Sequence, residues 1–228
     1  MRSTNKLLLL LPLCFSFQVN SFGYSFLAED SVPVKQNIKQ WVAPAALFTA
    51  GSGIAAIPSL RKLETRIYDG FNPKREITHI DDYTQYLPAL AVFTLDAAGM
   101  KGKNKPQQQL LLYALGNVSA AVIVQPIKRI IGRERPNKSD FRSFPSGHTS
   151  TAFVAAEFLH QEFGHHSHWI SVAGYATAAA TGYLRLYNNQ HWLGDVLAGA
   201  AIGMASTKLV YWMKREINKK KKLKTQGF

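Results

Sequence analysis

The sequence predicts an all-α protein, a helical bundle set in a membrane with five or six spans. Three observations carry this expectation. Beyond residue 30 the 228-residue chain divides into apolar segments, about 41–60, 86–100, 110–127, 149–163, 169–186 and 192–213, several at or just below the ~20 residues a spanning helix needs. These segments are rich in Ala and Gly, as in Ala176 to Gly182 and Ala198 to Gly203, which lets helices approach closely. The last segment runs into a polybasic end, Lys214-Arg215-Glu216-Ile217-Asn218-Lys219-Lys220-Lys221-Lys222, of the kind that marks the cytoplasmic side. A mean hydropathy of −0.09 keeps a soluble helical bundle open as the rival.

The N-terminus comes first in order. Arg2 and Lys6 precede the apolar run Leu7 to Phe17, and Gln18 to Gly23 follow with polar and small residues. Residues 1–23 therefore read as a signal peptide, with an uncleaved anchor as the alternative. Leu13 is bulky where a lipoprotein signal wants a small residue, so Cys14 is not read as lipid-bearing. As the single cysteine it also permits no internal disulfide. Residues 24–85 then form an N-terminal segment with an interfacial or first membrane helix, residues 86–213 the helical membrane domain, and residues 214–228 a basic cytoplasmic tail.

Sidedness follows from the tail and from Lys101-Gly102-Lys103-Asn104-Lys105, both taken as cytoplasmic. The segments between them alternate, so Lys128 to His148 and Arg185 to His191 face the same external side. A cleaved signal would place residue 30 outside, and a full crossing at 41–60 would invert everything after it. That segment is interrupted by Pro44, Gly51, Gly53 and Pro58, and is expected to be re-entrant or interfacial unless the signal reading fails.

A balance of 27 Lys+Arg against 14 Asp+Glu, or +13, suits nucleic acid, anionic lipid or an anionic substrate. Nucleic acid is set aside, because the lysine run is one short stretch beside an apolar helix with no recognisable reader fold. The cluster Lys128, Arg129, Arg133, Arg135, Lys138 and Arg142 lies on the external side, against the positive-inside tendency.

Three elements carry chemistry. Lys128 and Arg135, seven apart, could share a helix face as an anion clamp until Gly132 or Pro136 interrupts it; snorkelling at the interface is the plainer alternative. In Pro145-Ser146-Gly147-His148, Ser146 and Gly147 at a helix start would offer backbone N–H groups to a phosphate with His148 at the rim, or the turn is an ordinary Ser cap. His191 and Asp195 stand at i and i+4, so the carboxylate can hold one imidazole nitrogen and leave the other as a nucleophile, or the two merely pair on a helix surface. Arg185 lies just upstream.

Taken together, Lys128-x6-Arg135-Pro136, Pro145-Ser146-Gly147-His148 and Arg185-x5-His191-x3-Asp195 resemble the three-part signature of the type-2 phosphatidic acid phosphatase superfamily, over about 70 residues in the right order. The resemblance implies that superfamily's haloperoxidase-like helical fold and metal-independent, cofactor-free hydrolysis of a lipid phosphate. His191 would form a phosphohistidine with Asp195 orienting it, and His148 would protonate the leaving alcohol and then activate water. Lys128, Arg135, Arg185, Ser146 and Gly147 would hold the phosphate oxygens. Two positions depart from the pattern: Leu184 replaces a usual serine, and Gln190 stands where glycine often precedes the histidine. The stretch from Ile80 to Trp212 also resembles membrane members from Bacteroidetes-type bacteria, some of which dephosphorylate lipid A. Lipid A and undecaprenyl diphosphate are thus the favoured substrates, at the periplasmic face of a bacterial inner membrane, with no obligate protein partner. A soluble periplasmic acid phosphatase, a vanadate-dependent haloperoxidase and a non-catalytic module binding anionic lipid are the rivals.

Other features are assigned structural parts. His160, His165, His166 and His168 fall in a connection on the cytoplasmic side and read as polar loop residues rather than metal ligands. Asp96 is expected to face the bundle interior as a hydrogen-bond partner. Asp81-Asp82 is expected to cap the helix entering at Tyr86. Trp41, Trp169, Trp192 and Trp212 sit at segment ends and suit an aromatic belt.

Overall fold

The computed structural model describes residues 38–70 and 78–225. The signal-peptide reading at 1–23 and Cys14 lie outside the described residues. Among those described there are eight helices and no strands: α1 (Lys39–Ala56), α2 (Pro58–Gly70), α3 (Ile80–Thr84), α4 (Leu87–Ala97), α5 (Pro106–Ile131), α6 (Gly147–Phe163), α7 (His168–Tyr187) and α8 (Leu193–Thr225).

Local chemistry sets the helix ends that matter most. Pro106 opens α5, where its missing N–H costs nothing, and Gly132 closes the helix with φ of 58°, a left-handed position that glycine adopts freely. Ser146 caps α6 and Ser167 caps α7, their side chains accepting from Thr149 N and Trp169 N. At the start of α8 the Asp195 carboxylate reaches back to the Trp192 N–H (2.9 Å), the acidic half of a capping box.

Helix α6 is the centre of the bundle, packed by α4, α5, α7 and α8, while α1 lies along α8. Val92, Leu112, Phe158 and Phe163 form its main apolar core. The helices meet through small residues. A methyl group on Gly199 would lie 2.5 Å from the Ser146 carbonyl oxygen, and one on Gly203 would collide with the Ser150 carbonyl. Gly51 meets the α8 backbone at Gly194 and Ala198 in the same way, and α1 runs antiparallel to α8.

Two carboxylates on α6 are fully buried and fully engaged. Glu157 binds Lys208 Nζ (2.8 Å), Tyr175 OH (2.5 Å) and Gln161 Nε2 (2.7 Å). Glu162 takes the Tyr211 hydroxyl, the Asn104 N–H (2.9 Å) and the Asn104 side-chain amide (2.5 Å). This second cluster ties the 101–105 loop to the lower end of α6, and Lys214 of α8 reaches the same Asn104. His166 Nε2 joins it on the Lys101 carbonyl (2.8 Å). Of the four histidines read as loop residues only His165 and His166 lie in the connection, since His160 belongs to α6, where its Nδ1 meets Ser171 Oγ (2.8 Å), and His168 opens α7. Asp96 Oδ1 accepts from Gly102 N (3.0 Å), so it is a hydrogen-bond partner as expected, but of the 101–105 loop rather than of the bundle interior.

By length and composition two helices can cross a membrane, Pro106–Ile131 and Leu193–Lys220, or three if the pair Lys39–Ala56 and Pro58–Arg66, bent by 86°, is one broken span or a re-entrant loop. Five or six were expected. At 11 and 17 residues α4 and α6 are short of the length, and α7 is diluted by Gly, Thr, Tyr and His. Helix α5 carries an exposed apolar face, with Leu110, Leu111, Leu115, Val118 and Val122 uncovered, as a lipid-facing helix does.

Overpacking the α6–α8 contact is expected to cost about 1–3 kcal/mol, so Gly203→Ala should lower the thermal midpoint in detergent. Gly53→Ala, where an added methyl meets nothing within 4 Å, should leave it unchanged or raise it slightly. Equal midpoints for the two variants would contradict the close-packing account.

Candidate active site

The last turns of α5 and α7 and the first turns of α6 and α8 converge at one end of the bundle, opposite the 101–105 loop, and α3 closes over them. His191 is buried there, 3% exposed. Its Nε2 lies 3.3 Å from Arg135 Nη1, and because a guanidinium can only donate, that nitrogen is the acceptor and the proton belongs on Nδ1. Nδ1 faces Asp195 Oδ2 at 3.6 Å, just beyond a hydrogen bond, and has no other partner among the described residues. Burial pushes His191 down to about 3, against the pull of Asp195 and with help from Lys128 and Arg135. The ring is therefore neutral, with an unprotonated Nε2 turned towards cations.

Asp195 is wholly buried and saturated with donors. Arg133 Nη1 binds Oδ1 (2.6 Å), while the Ser143 hydroxyl and Trp192 N–H (2.9 Å) bind Oδ2. Arg133 carries its other nitrogen to Glu64 Oε2 (2.5 Å), and Glu64 Oε1 accepts from Gly194 N (2.8 Å).

The remaining cations line the same recess. Lys128 is buried and donates to the Arg142 carbonyl (2.7 Å). Arg135 spans Asp140 Oδ1 (2.8 Å) and the Gln190 side chain (3.1 Å). Arg185 binds Asp81 Oδ2, its Nε has no partner among the described residues, and Asn188 holds the other oxygen of Asp81 (2.9 Å). A Cβ on Gly147 would stand 3.8 Å from Lys128 Cε, so the bare glycine backbone opens towards that lysine.

His148 opens α6 with its Nε2 2.8 Å from Asp82 Oδ1, and Asp82 also meets His79 Nδ1 at 3.3 Å. Burial and then Arg185 push His148 below the usual imidazole range, while Asp82 and Asp81 pull it back up. The bond from His148 in turn holds Asp82 below the usual carboxylate range. The ligand atoms of Asp81, Asp82 and His148 lie within 4.8 Å of one another, a spacing that admits a small cation. Arg185 already supplies positive charge to Asp81 and opposes a second one there.

Residues 109–219 match the family described as the PAP2 superfamily. This stretch, just under half of the chain, carries the superfamily's pattern. The chain is 42% identical over 137 residues to the lipid A 1-phosphatase of Porphyromonas gingivalis, which covers 60% of this chain. The match spans 31% of that relative's length. In fold the chain resembles the crystal structure of a transmembrane PAP2-type phosphatidylglycerolphosphate phosphatase from Bacillus subtilis, with a TM-score of 0.58 and 24% identity over 77% of this chain and 97% of the other. Aquifex aeolicus LpxE aligns with a TM-score of 0.44 and 22% identity over 73% and 93% of the two chains.

All eight residues that the PAP2 signature singles out, Lys128, Arg135, Ser146, Gly147, His148, Arg185, His191 and Asp195, lie around this recess. Their local geometry corrects four readings. Lys128 and Arg135 do not share a helix face, because α5 stops at Gly132 and Arg135 returns through the loop. His191 precedes α8 rather than riding on it, and Asp195 turns back towards it from the first turn. The Ser146 N–H is committed to the Asp195 carbonyl (2.9 Å), which leaves the amides of Gly147 and His148 as donors of that turn. Asp81 and Asp82 cap no helix; they leave their own turn to bind Arg185 and His148. Gln190, a departure from the PAP2 pattern, holds Arg135 in place. Glu64 and Ser143 gave no signal in the sequence.

Removing the Asp82 carboxylate takes away what opposes burial at His148. In Asp82→Asn the His148 imidazole should titrate further below 6.5 than in the parent protein, read by NMR of histidine-labelled protein in detergent. An unmoved titration would mean that the 2.8 Å contact carries no charge coupling.

Proposed function

We propose that the chain is a metal-independent lipid phosphatase, with lipid A as the favoured substrate and undecaprenyl diphosphate next. The observation that carries this reading is the neutral, buried His191 with its Nε2 presented beside Arg135 and its Nδ1 turned to Asp195. A nucleophile and its orienting carboxylate, set among cations at the start of a helix, suit phosphoryl transfer. The likeness to a lipid A 1-phosphatase supports lipid A as the first substrate to test.

In the first half-reaction Nε2 attacks phosphorus, the P–O bond to the lipid breaks, and His148 gives its proton to the departing oxygen. The imidazole of His191 gains positive charge, which Asp195 stabilises through Nδ1–H. Lys128, Arg135, Arg185 and the Gly147 amide hold the three non-bridging oxygens and offset the charge of the transition state. In the second half His148 takes a proton from water, the water oxygen bonds to phosphorus, and the P–N bond breaks to free phosphate and restore His191.

Orientation follows from charge. The 101–105 lysines and the basic end of α8 meet through Asn104 at the end remote from His191. Basic connections favour the cytoplasmic side, so the recess faces the periplasm of the inner membrane. In this reading α4, α6 and α7 cross beside α5 and α8, which makes five spans, and the bent pair α1–α2 would be the sixth.

The test is phosphate release by detergent-purified protein in EDTA from lipid A, undecaprenyl diphosphate, phosphatidylglycerol phosphate and phosphatidic acid, with His191→Ala as blank. Release from lipid A is expected, lost by at least about three orders of magnitude in the variant, as for removal of other covalent nucleophiles. Because His148 must carry a proton and burial lowers its titration, kcat/KM should fall as the pH rises through the neutral range. Folded protein that releases phosphate from none of these lipids would overturn the assignment in favour of a soluble phosphoester substrate or a binding role.

A further inference from the structure

The PAP2 match begins at residue 109, yet the recess is completed by a residue far upstream. Glu64 on α2 is 3% exposed, Arg133 9% and Asp195 0%. They form one buried chain of contacts, Gly194 N to Glu64 Oε1 (2.8 Å), Glu64 Oε2 to Arg133 Nη2 (2.5 Å) and Arg133 Nη1 to Asp195 Oδ1 (2.6 Å). We propose that Glu64 and Arg133 are positioning residues for the reaction, acting through Asp195 on His191, so that α2 is part of the catalytic unit. The proposal rests on His191 being the nucleophile.

Charge gives the physical reason. Arg133 alone would neutralise Asp195 and weaken its hold on an imidazole that becomes positive when Nε2 bonds to phosphorus. Above the titration of Glu64, which burial pushes up and Arg133 pulls back down, the three groups sum to one negative charge, which the cationic imidazole balances. The fork of Arg133 also fixes Asp195 by Oδ1, leaving Oδ2 aimed at His191 Nδ1. Trp192 stacks against the guanidinium at 5.6 Å and holds its plane.

A purely structural part, docking α2 on the bundle, would place the same contacts but would not tune His191. The groups facing His191 are Asp195 from α8, Lys128 from α5 and Arg135 from the loop, with Arg133 and Glu64 behind Asp195. Among these the carboxylates favour the imidazolium and the cations oppose it. Losing the charge of Glu64 therefore weakens the hold on the imidazole as it becomes positive in the transition state, which lowers kcat more than it raises KM.

The experiment compares full-length parent protein with Glu64→Gln, Asp195→Asn and the double variant, on lipid A micelles. Glu64→Gln should lose about tenfold in kcat with KM little changed, as for outer partners of a reacting ligand. Added to Asp195→Asn it should cost little more, because it acts through that residue. Unchanged kcat, a loss confined to KM, or full additivity would overturn the proposal. Glu64→Asp keeps the charge and shortens the reach; if Glu64→Gln does not fold, the same double-variant cycle is run with it and judged on additivity alone. Orthovanadate, a phosphate analogue whose vanadium accepts an imidazole nitrogen, separates the two readings by calorimetry. Parent protein that binds vanadate but spares lipid A loses the substrate assignment, and the positioning proposal then stands or falls on whether Glu64→Gln weakens vanadate about tenfold. Parent protein that binds no vanadate and releases no phosphate would sink both.

Discussion

Asp195 takes a carboxylate entirely out of water at the first turn of α8, where an unpaired charge would cost several kcal/mol, so the chain has to bring donors to it from several directions. Arg133 and Ser143 come from the loop after α5, Trp192 supplies its own N–H, and Ser146 fastens its N–H to the Asp195 carbonyl. That last bond ties the start of α6 to the start of α8. With the two helix starts held together, the residues of α8 facing α6 must be small, which is the part of Gly199 and Gly203. The packing of the central helices and the geometry of the recess thus meet at one residue, the first through its main-chain carbonyl and the second through its carboxylate.

Much of this was legible in the chain because it is local or periodic. The three basic and histidine-bearing elements lie within about 70 residues, the Ala- and Gly-rich segments mark close helix contacts, and the lysine runs mark one end. The pairing of His191 with Asp195 was read correctly as a pair and wrongly as a helical one. An i,i+4 spacing says that two side chains are near, not that the helix has already begun, and here the acid also serves as a cap. What sequence order conceals is long-range partnership. Asp81 stands 104 residues from Arg185 and Glu64 130 from Gly194, and no periodicity links them. Asp81-Asp82 looked like a cap because an acidic pair before a helix usually is one; the buried cation that claims Asp81 instead becomes visible only in three dimensions.

The two halves of α6 carry charge in different ways. Towards the 101–105 loop, Glu157 and Glu162 are fixed by lysine, tyrosine and amide partners, with every oxygen occupied. Such clusters hold neighbouring helices in register and are closed to a ligand. At the opposite end the same helix offers amides, a half-buried histidine and an arginine nitrogen without a partner. Along α6 itself the difference is one of satisfaction rather than of charge.

On the proposed reading, charge pairing within the recess would let it take a phosphate without being a permanent anion trap. Arg133 is shared between Glu64 and Asp195, Arg135 is engaged by Asp140, and Arg185 by Asp81. Each guanidinium is thereby held in one orientation before any anion arrives, which removes the entropy of ordering a long side chain from the cost of binding. Lys128 differs, since among the described residues it contacts a carbonyl and no carboxylate. It is buried and faces the Gly147 backbone, with no carboxylate contact among the described residues to compete with a newcomer. An arriving phosphate gains most from Lys128 and from the unpaired edge of Arg185, and it meets the arginines already in place. A carboxylate ligand, with two oxygens and one charge, could satisfy one of these groups but could not bridge cations drawn from α5, the loop and α7 together. A tetrahedral anion has an oxygen for each, so on the proposed reading the spread of the cations over three elements would favour it.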